Sequence, residues 1–184
     1  MPPIDRRPGI RPRASVGRRL DIAARASFPS CATVLLMMLS QAPLDIAGQA
    51  ALLPAVTLGC VWFWSLFRPA NLPSPVVFVM GLVLDLLGYL PPGTGSFTLL
   101  VVQAVALALR RTVLGQGFLW IWLSFAIAAT LASLLIWLLA MLLTFSVLPP
   151  SPAVFTGILA IALFPCLAVP FAVAHRSIAD PWHA

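Results

Sequence analysis

Gly81-Leu82-Val83-Leu84-Asp85-Leu86-Leu87-Gly88 is an apolar run with one carboxylate in its middle. An acid at membrane depth costs roughly 2.5–3.5 kcal/mol on insertion scales. A chain carries that cost only where the group meets a partner, a water-filled cavity or another protein. Gly81 and Gly88 flank Asp85 four residues before and three after, so all three share one helical face. Small residues beside a polar one let a second helix approach closely. The run therefore reads as a membrane helix whose Asp85 faces protein, in the outer half of the bilayer. Three roles stand side by side for this carboxylate: binding a partner span or solute, closing an internal hydrogen-bond network, or catalysis and proton transfer.

The composition around this run agrees. Of 184 residues, 61% are hydrophobic and only 9% are charged, with a mean hydropathy of +1.02. So little charge cannot cover the surface of a soluble domain of this length. The expected fold class is all-α, a polytopic membrane protein built as a single six-helix transmembrane bundle over residues 26–174. Residues 1–25 form a basic, Pro- and Arg-rich tail, and residues 175–184 a short C-terminus. The tail begins as a segment unable to bury a core. Residues 15–25 read either as an interfacial helix or as a solvated stretch.

Apolar runs fall at about 26–41, 49–67, 75–90, 96–109, 118–147 and 153–174. Pro75 opens the third at a first-turn position, and Pro91-Pro92-Gly93-Thr94-Gly95 is a turn signal. Pro165 and Pro170 are expected to kink the sixth. Residues 28–39 resemble a signal-peptide core, but the long basic region and the spans that follow favour an uncleaved first span.

Charge sets the orientation. Seven of the eleven arginines precede the first run, and the chain has no Lys and no Glu. With that end cytoplasmic, six spans also place Arg68, Arg110, Arg111 and Arg176 on the cytoplasmic side. The loops at Asp45, 91–95 and 149–152 then lie outside without a single Arg, which satisfies the positive-inside rule. Both termini are expected in the cytoplasm. Trp62, Trp64, Trp120 and Trp122 then fit an aromatic belt at the cytoplasmic interface. The arginines read first as topology signals and contacts to anionic membrane lipids. No basic patch interleaves with aromatics, so no nucleic-acid partner is expected.

Catalytic groupings are missing from the sequence. The histidines are His175 and His183, and there is no HExxH, Gly-x-Ser-x-Gly or P-loop. Asp45, Asp85 and Asp180 are far apart in sequence. Cys31, Cys60 and Cys166 have no paired spacing and read as small buried apolar residues. Neither an enzyme nor a metal or cofactor site is expected.

Gly81-Leu82-Val83-Leu84-Asp85, then Gly88, Pro91-Pro92-Gly93 and Ser96-Phe97 resemble the motif of the MreD family of bacterial rod-shape-determining membrane proteins. Trp62-Phe63-Trp64-Ser65-Leu66-Phe67-Arg68-Pro69 is similar to that family's aromatic stretch ending in Arg-Pro. The resemblance covers residues 50–110. Gly88 stands one place early, Pro92 replaces Leu, and Phe97 replaces the usual Leu. The resemblance implies a non-enzymatic inner-membrane subunit of the cell-elongation machinery that supports peptidoglycan synthesis. Its implied partners are an MreC-like single-span protein, a RodA-type glycosyltransferase, a class B penicillin-binding protein and, indirectly, actin-like MreB. Gly81, Asp85, Gly88, Pro91, Pro92, Gly93, Arg68 and Pro69 are the residues assigned to structure or partner binding. The family's helical arrangement also resembles the substrate-binding subunits of energy-coupling-factor transporters. A solute-binding membrane subunit is therefore the alternative, with Asp45, Asp85, Thr94, Ser96, Thr98 and Gln103 as the polar groups available to it.

Overall fold

The computed structural model describes residues 16–43 and 48–179, and every regular element in them is helical. Helix α1 spans Val16–Leu39, α2 Leu52–Phe67, α3 Ser74–Leu87, α4 Thr94–Val113, α5 Phe118–Thr144 and α6 Ser151–Ala179. Short 3₁₀ turns at Gln49–Ala51 and Pro69–Asn71 flank α2. Asp45, Asp180 and His183 fall outside the described residues, as does the tail up to residue 15.

Local signals explain most boundaries. Pro73 precedes α3 in an extended conformation and Pro75 occupies its first turn, where a missing N–H leaves no bond unmade. α1 runs without a break through Pro29, so the region read as an interfacial helix and the first span are one element. α6 likewise continues through Pro165 and Pro170.

Among the described residues, four helices are long and apolar enough to cross a membrane: Gln49–Phe67, which includes the first 3₁₀ turn, Thr94–Val113, Phe118–Thr144 and Ser151–Val173. The apolar stretches Ser27–Leu39 and Ser74–Leu87 are shorter. Six helices occupy the six apolar runs, and four of them reach spanning length by themselves. With 14 residues, α3 is about 21 Å long against a hydrocarbon core near 30 Å. The difference matters for the site, because both ends of α3 then need hydrogen-bond partners supplied by protein.

α2 is the hub. It packs against each of the other five helices, while α3 rests mainly on α4, and α5 lies between α4 and α6. Its most apolar window is 78% buried, against 28–39% for the other three long helices. Trp62 and Trp64 are 0% exposed in consequence, so they are core residues and not the interfacial belt expected of them. A belt needs helices on the perimeter, and of the four tryptophans Trp120, half exposed on α5, and the partly buried Trp122 beside it have that position. The Trp64 ring lies 5.1 Å from Phe171 on α6 and meets Phe28 on α1 edge-on at 5.9 Å. Phe125 and Phe164 stack at 4.3 Å and join α5 to α6. Such pairs add about 0.5–1.5 kcal/mol each beyond their area burial. Cys60 is buried on α2, but Cys31 and Cys166 are exposed, contrary to their reading as buried residues.

The bundle has two unlike ends. One carries Arg68, Arg110 and Arg111 with the α2–α3 and α4–α5 connections. The other carries the start of α2, the α3–α4 turn and the α5–α6 turn; its described residues include no Arg or Lys.

Candidate functional site

The site is built where α3 stops and α4 starts. Asp85 is 4% exposed, in the last turn of α3. Its carboxylate accepts the Gly93 N–H at 2.8 Å through Oδ2 and the Gly95 N–H at 2.5 Å through Oδ1. Gly93 is the N-cap of α4 and has no capping side chain of its own. Asp85 takes that role from the neighbouring helix. The intervening Thr94 N–H bonds the Pro91 carbonyl at 3.1 Å, so three successive N–H groups at the helix start have acceptors. The carboxylate also sits at the positive end of the α4 dipole.

Gly93 is required by conformation. Its φ of +95° turns the chain so that its N–H points back at Asp85, and a side chain there would be strained though not crowded. Gly81 and Gly95 are required by space. A Cβ on Gly81 would fall 2.2 Å from the Ser96 Cα, and one on Gly95 would fall 2.7 Å from Asp85 Oδ1. The two glycines bring α3 and α4 close enough for the cap to form. Ser96 adds a bond from its hydroxyl to the Phe78 carbonyl at 3.2 Å.

Gly88 takes no part in this crossing, although it shares a sequence spacing with Gly81 and Asp85. α3 ends at Leu87, and a Cβ on Gly88 would meet its own turn, 2.9 Å from the Leu84 carbonyl. The left-handed residue that closes α3 is Tyr89, with φ +52°. Leu90 N–H reaches the Asp85 carbonyl at 3.0 Å and Gly88 N–H the Leu84 carbonyl at 2.8 Å, a Schellman-type ending. Asp85 thus ends one helix with its backbone and starts the next with its side chain. Pro91 and Pro92 carry the chain between the two, Pro92 exposed at the tip.

Other polar side chains do similar work at helix ends. Gln41 Nε2 donates to the Leu87 carbonyl at 2.9 Å and ties the end of α1 to the end of α3. Gln103, 3% exposed, donates to the Leu72 carbonyl at 2.7 Å. Arg110 Nε donates to the Leu66 carbonyl at 2.6 Å, placing a cation at the C-terminus of α2. Arg68 is the C-cap of α2, and Pro69 starts the 3₁₀ turn behind it. Sequence reading assigned Arg110 to topology and lipid contact, gave Gly95 only as part of a turn and missed Gln41; their signal was a small or polar residue within a turn of a helix end.

Beside the cap lies a cavity of about 340 Å³, formed by the starts of α2 and α6, the end of α3 and the last half of α5. Thr94, Ser96, Thr98 and Gln103 are buried but do not line it. No protein-family model matches this chain, and neither does any curated protein or solved structure. Function therefore rests on the geometry and on the motif at 81–97. Outward from the cap, Leu82, Leu86, Tyr89 and Phe97 are exposed, with Tyr89 at 96%. A tyrosine held in a left-handed conformation that glycine adopts more cheaply, and making so little contact with its own chain, presents its ring to the surroundings.

Proposed function

We propose that this chain is a non-enzymatic scaffold subunit of the bacterial cell-elongation complex, of the MreD kind, binding an MreC-like single-span protein and supporting peptidoglycan synthesis beside RodA-type and class B penicillin-binding enzymes. The observation that carries this reading is the exposed apolar and aromatic face of Leu82, Leu86, Tyr89 and Phe97, mounted on a turn that Asp85 holds rigid. Aromatic anchors on a fixed backbone are what a recognition surface needs, since little ordering cost remains on binding. The motif resemblance at the same residues supplies the identity of the partners.

Photo-crosslinkers at Leu86, Tyr89 and Phe97 should capture the single-span periplasmic partner in cells. Thr94 is unsuitable for this, being 1% exposed. Crosslinks to lipid alone would overturn the scaffold reading. The solute-binding alternative needs donors and acceptors converging on a cavity, but Asp85, Ser96, Thr98 and Gln103 are bonded to backbone groups and neither they nor Thr94 line the cavity beside the cap.

In the proposed topology the protein lies in the inner membrane with six passes and both termini cytoplasmic. α1 and α3 complete the six, the short α3 keeping its ends in protein contact through Gln41, Asp85 and Gln103. Reporter fusions after Arg111 and after Ser151 should then give inside and outside signals respectively. Equal signals would eliminate this topology.

A further inference from the structure

We infer that the cavity beside the α3–α4 turn is a binding site for one hydrocarbon chain of a membrane lipid, which enters from the arginine-free end of the bundle. The inference rests on residence in a membrane and is independent of the partner-binding proposal. The first support is chemical. Among the described residues, none that lines the cavity is charged. The polar side chains that do are Ser133, Thr156 and Trp137, and each has already donated its hydrogen. Ser133 Oγ donates to the Ala129 carbonyl at 2.8 Å, Thr156 Oγ1 to the Pro152 carbonyl at 2.8 Å and Trp137 Nε1 to the Leu148 carbonyl at 3.1 Å. A polar solute would lose its water and find no side-chain donor in return. A hydrocarbon chain loses nothing there.

The second support is shape. Leu84, Ser133 and Ala140 are buried at the cavity wall, whereas Ala50, Pro149 and Pro152 are exposed at its rim. The rim belongs to the end where α1, α3 and α5 finish, so the opening lies where lipid headgroups meet chains. Tyr89 stands between two lining residues, Gly88 and Leu90, and Phe145 lies three residues before Leu148. Both are 96% exposed aromatics with left-handed backbones, at φ +52° and +50°. Aromatic rings at such an opening suit the interface of a bilayer. A volume near 340 Å³ is at the small end of ligand pockets, which run from about 300 to 1,000 Å³. It fits one chain, leaving a second chain of a diacyl lipid outside.

The test uses the full-length protein in liposomes doped with a phosphatidylglycerol carrying a diazirine at the end of one acyl chain. After irradiation, adducts are mapped by peptide mass spectrometry. Adducts are expected on Leu84, Ser133 and Ala140, besides the lipid-facing Leu131 and Leu134. In Ala140→Phe the cavity adducts should fall about tenfold while those on Leu131 stay, because the new ring occupies the space. Ala153→Phe, at the more exposed wall, provides the same reading if Ala140→Phe does not fold. A single-chain lysophospholipid carrying the same diazirine should label equally well if one chain suffices. Labelling by the diacyl probe alone assigns the site to two-chain lipids and still supports it. Cavity adducts that are absent, or that persist unchanged in both variants, would overturn the inference. So would exclusion of the probe by a water-soluble molecule that stays bound through purification.

Discussion

Asp85→Leu is expected to destabilise the protein by about 3–5 kcal/mol, more than any other single polar replacement in the bundle. Two backbone N–H groups lose a charged acceptor, each such bond being worth roughly 1.5–3 kcal/mol. The N-terminus of α4 is then left without its negative partner. Asp85→Asn should fall between Leu and the parent. Its oxygen can accept from one glycine, but its NH₂ then opposes the other N–H, since both carboxylate oxygens act as acceptors. Unfolding in mixed micelles measures the order, and complementation of depleted cells measures its consequence for growth. The loss should concentrate in the α3–α4 turn, so crosslinking at Tyr89 should suffer before membrane insertion does. A leucine variant as stable as the parent would show that the cap contributes nothing. If Asn fails in cells as badly as Leu while remaining stable, the charge itself has a role beyond holding the turn.

Gly81→Val is expected to cost at least about 3 kcal/mol, toward the upper end of overpacking effects. The added Cβ would fall 2.2 Å from the Ser96 Cα, which is backbone and cannot rotate away. α3 and α4 would have to separate, and that separation also pulls Asp85 from Gly93 and Gly95. The two substitutions act on one contact, so their combined cost should be well below the sum of the single costs. Gly88→Ala is the control. A Cβ there would press on its own turn, 2.9 Å from the Leu84 carbonyl oxygen, a smaller overlap than at Gly81 and away from the α3–α4 crossing, so it should be the milder change. Unfolding midpoints for the three variants and the Gly81→Val/Asp85→Leu pair decide the matter. Additive costs would separate the helix crossing from the cap.

The motif at 81–97 was visible in the sequence because it combines rare events. An acid in an apolar run, two glycines on its face and a Pro-Pro-Gly turn are each uncommon in a membrane helix. What that motif does was not visible. The bond from Asp85 to Gly93 and Gly95 joins residues eight and ten apart across a turn whose path depends on the φ of Gly93. Spacing alone put Gly88 on the same face as Gly81. The end of α3 at Leu87 removed it, since a helical face exists only while the helix lasts.

The sequence by itself determined the all-helical class, the apolar runs and the division between an arginine-bearing and an arginine-free end. These follow from local composition, because a backbone in an apolar run must satisfy its hydrogen bonds internally wherever it runs. Only the tertiary structure decided which helix lies at the centre. α2, α3, α5 and α6 are all apolar along their length, and nothing within Trp62–Trp64 distinguishes a core pair from an interfacial belt. Position did so, by surrounding α2 with five helices. The tertiary structure also decided that polar side chains such as Asp85, Gln41, Gln103 and Arg110 reach the ends of neighbouring helices. The physical reason is the same in each case. A helix leaves its terminal N–H and C=O groups unpaired, and only a neighbouring helix, placed by packing, can bring a side chain to them.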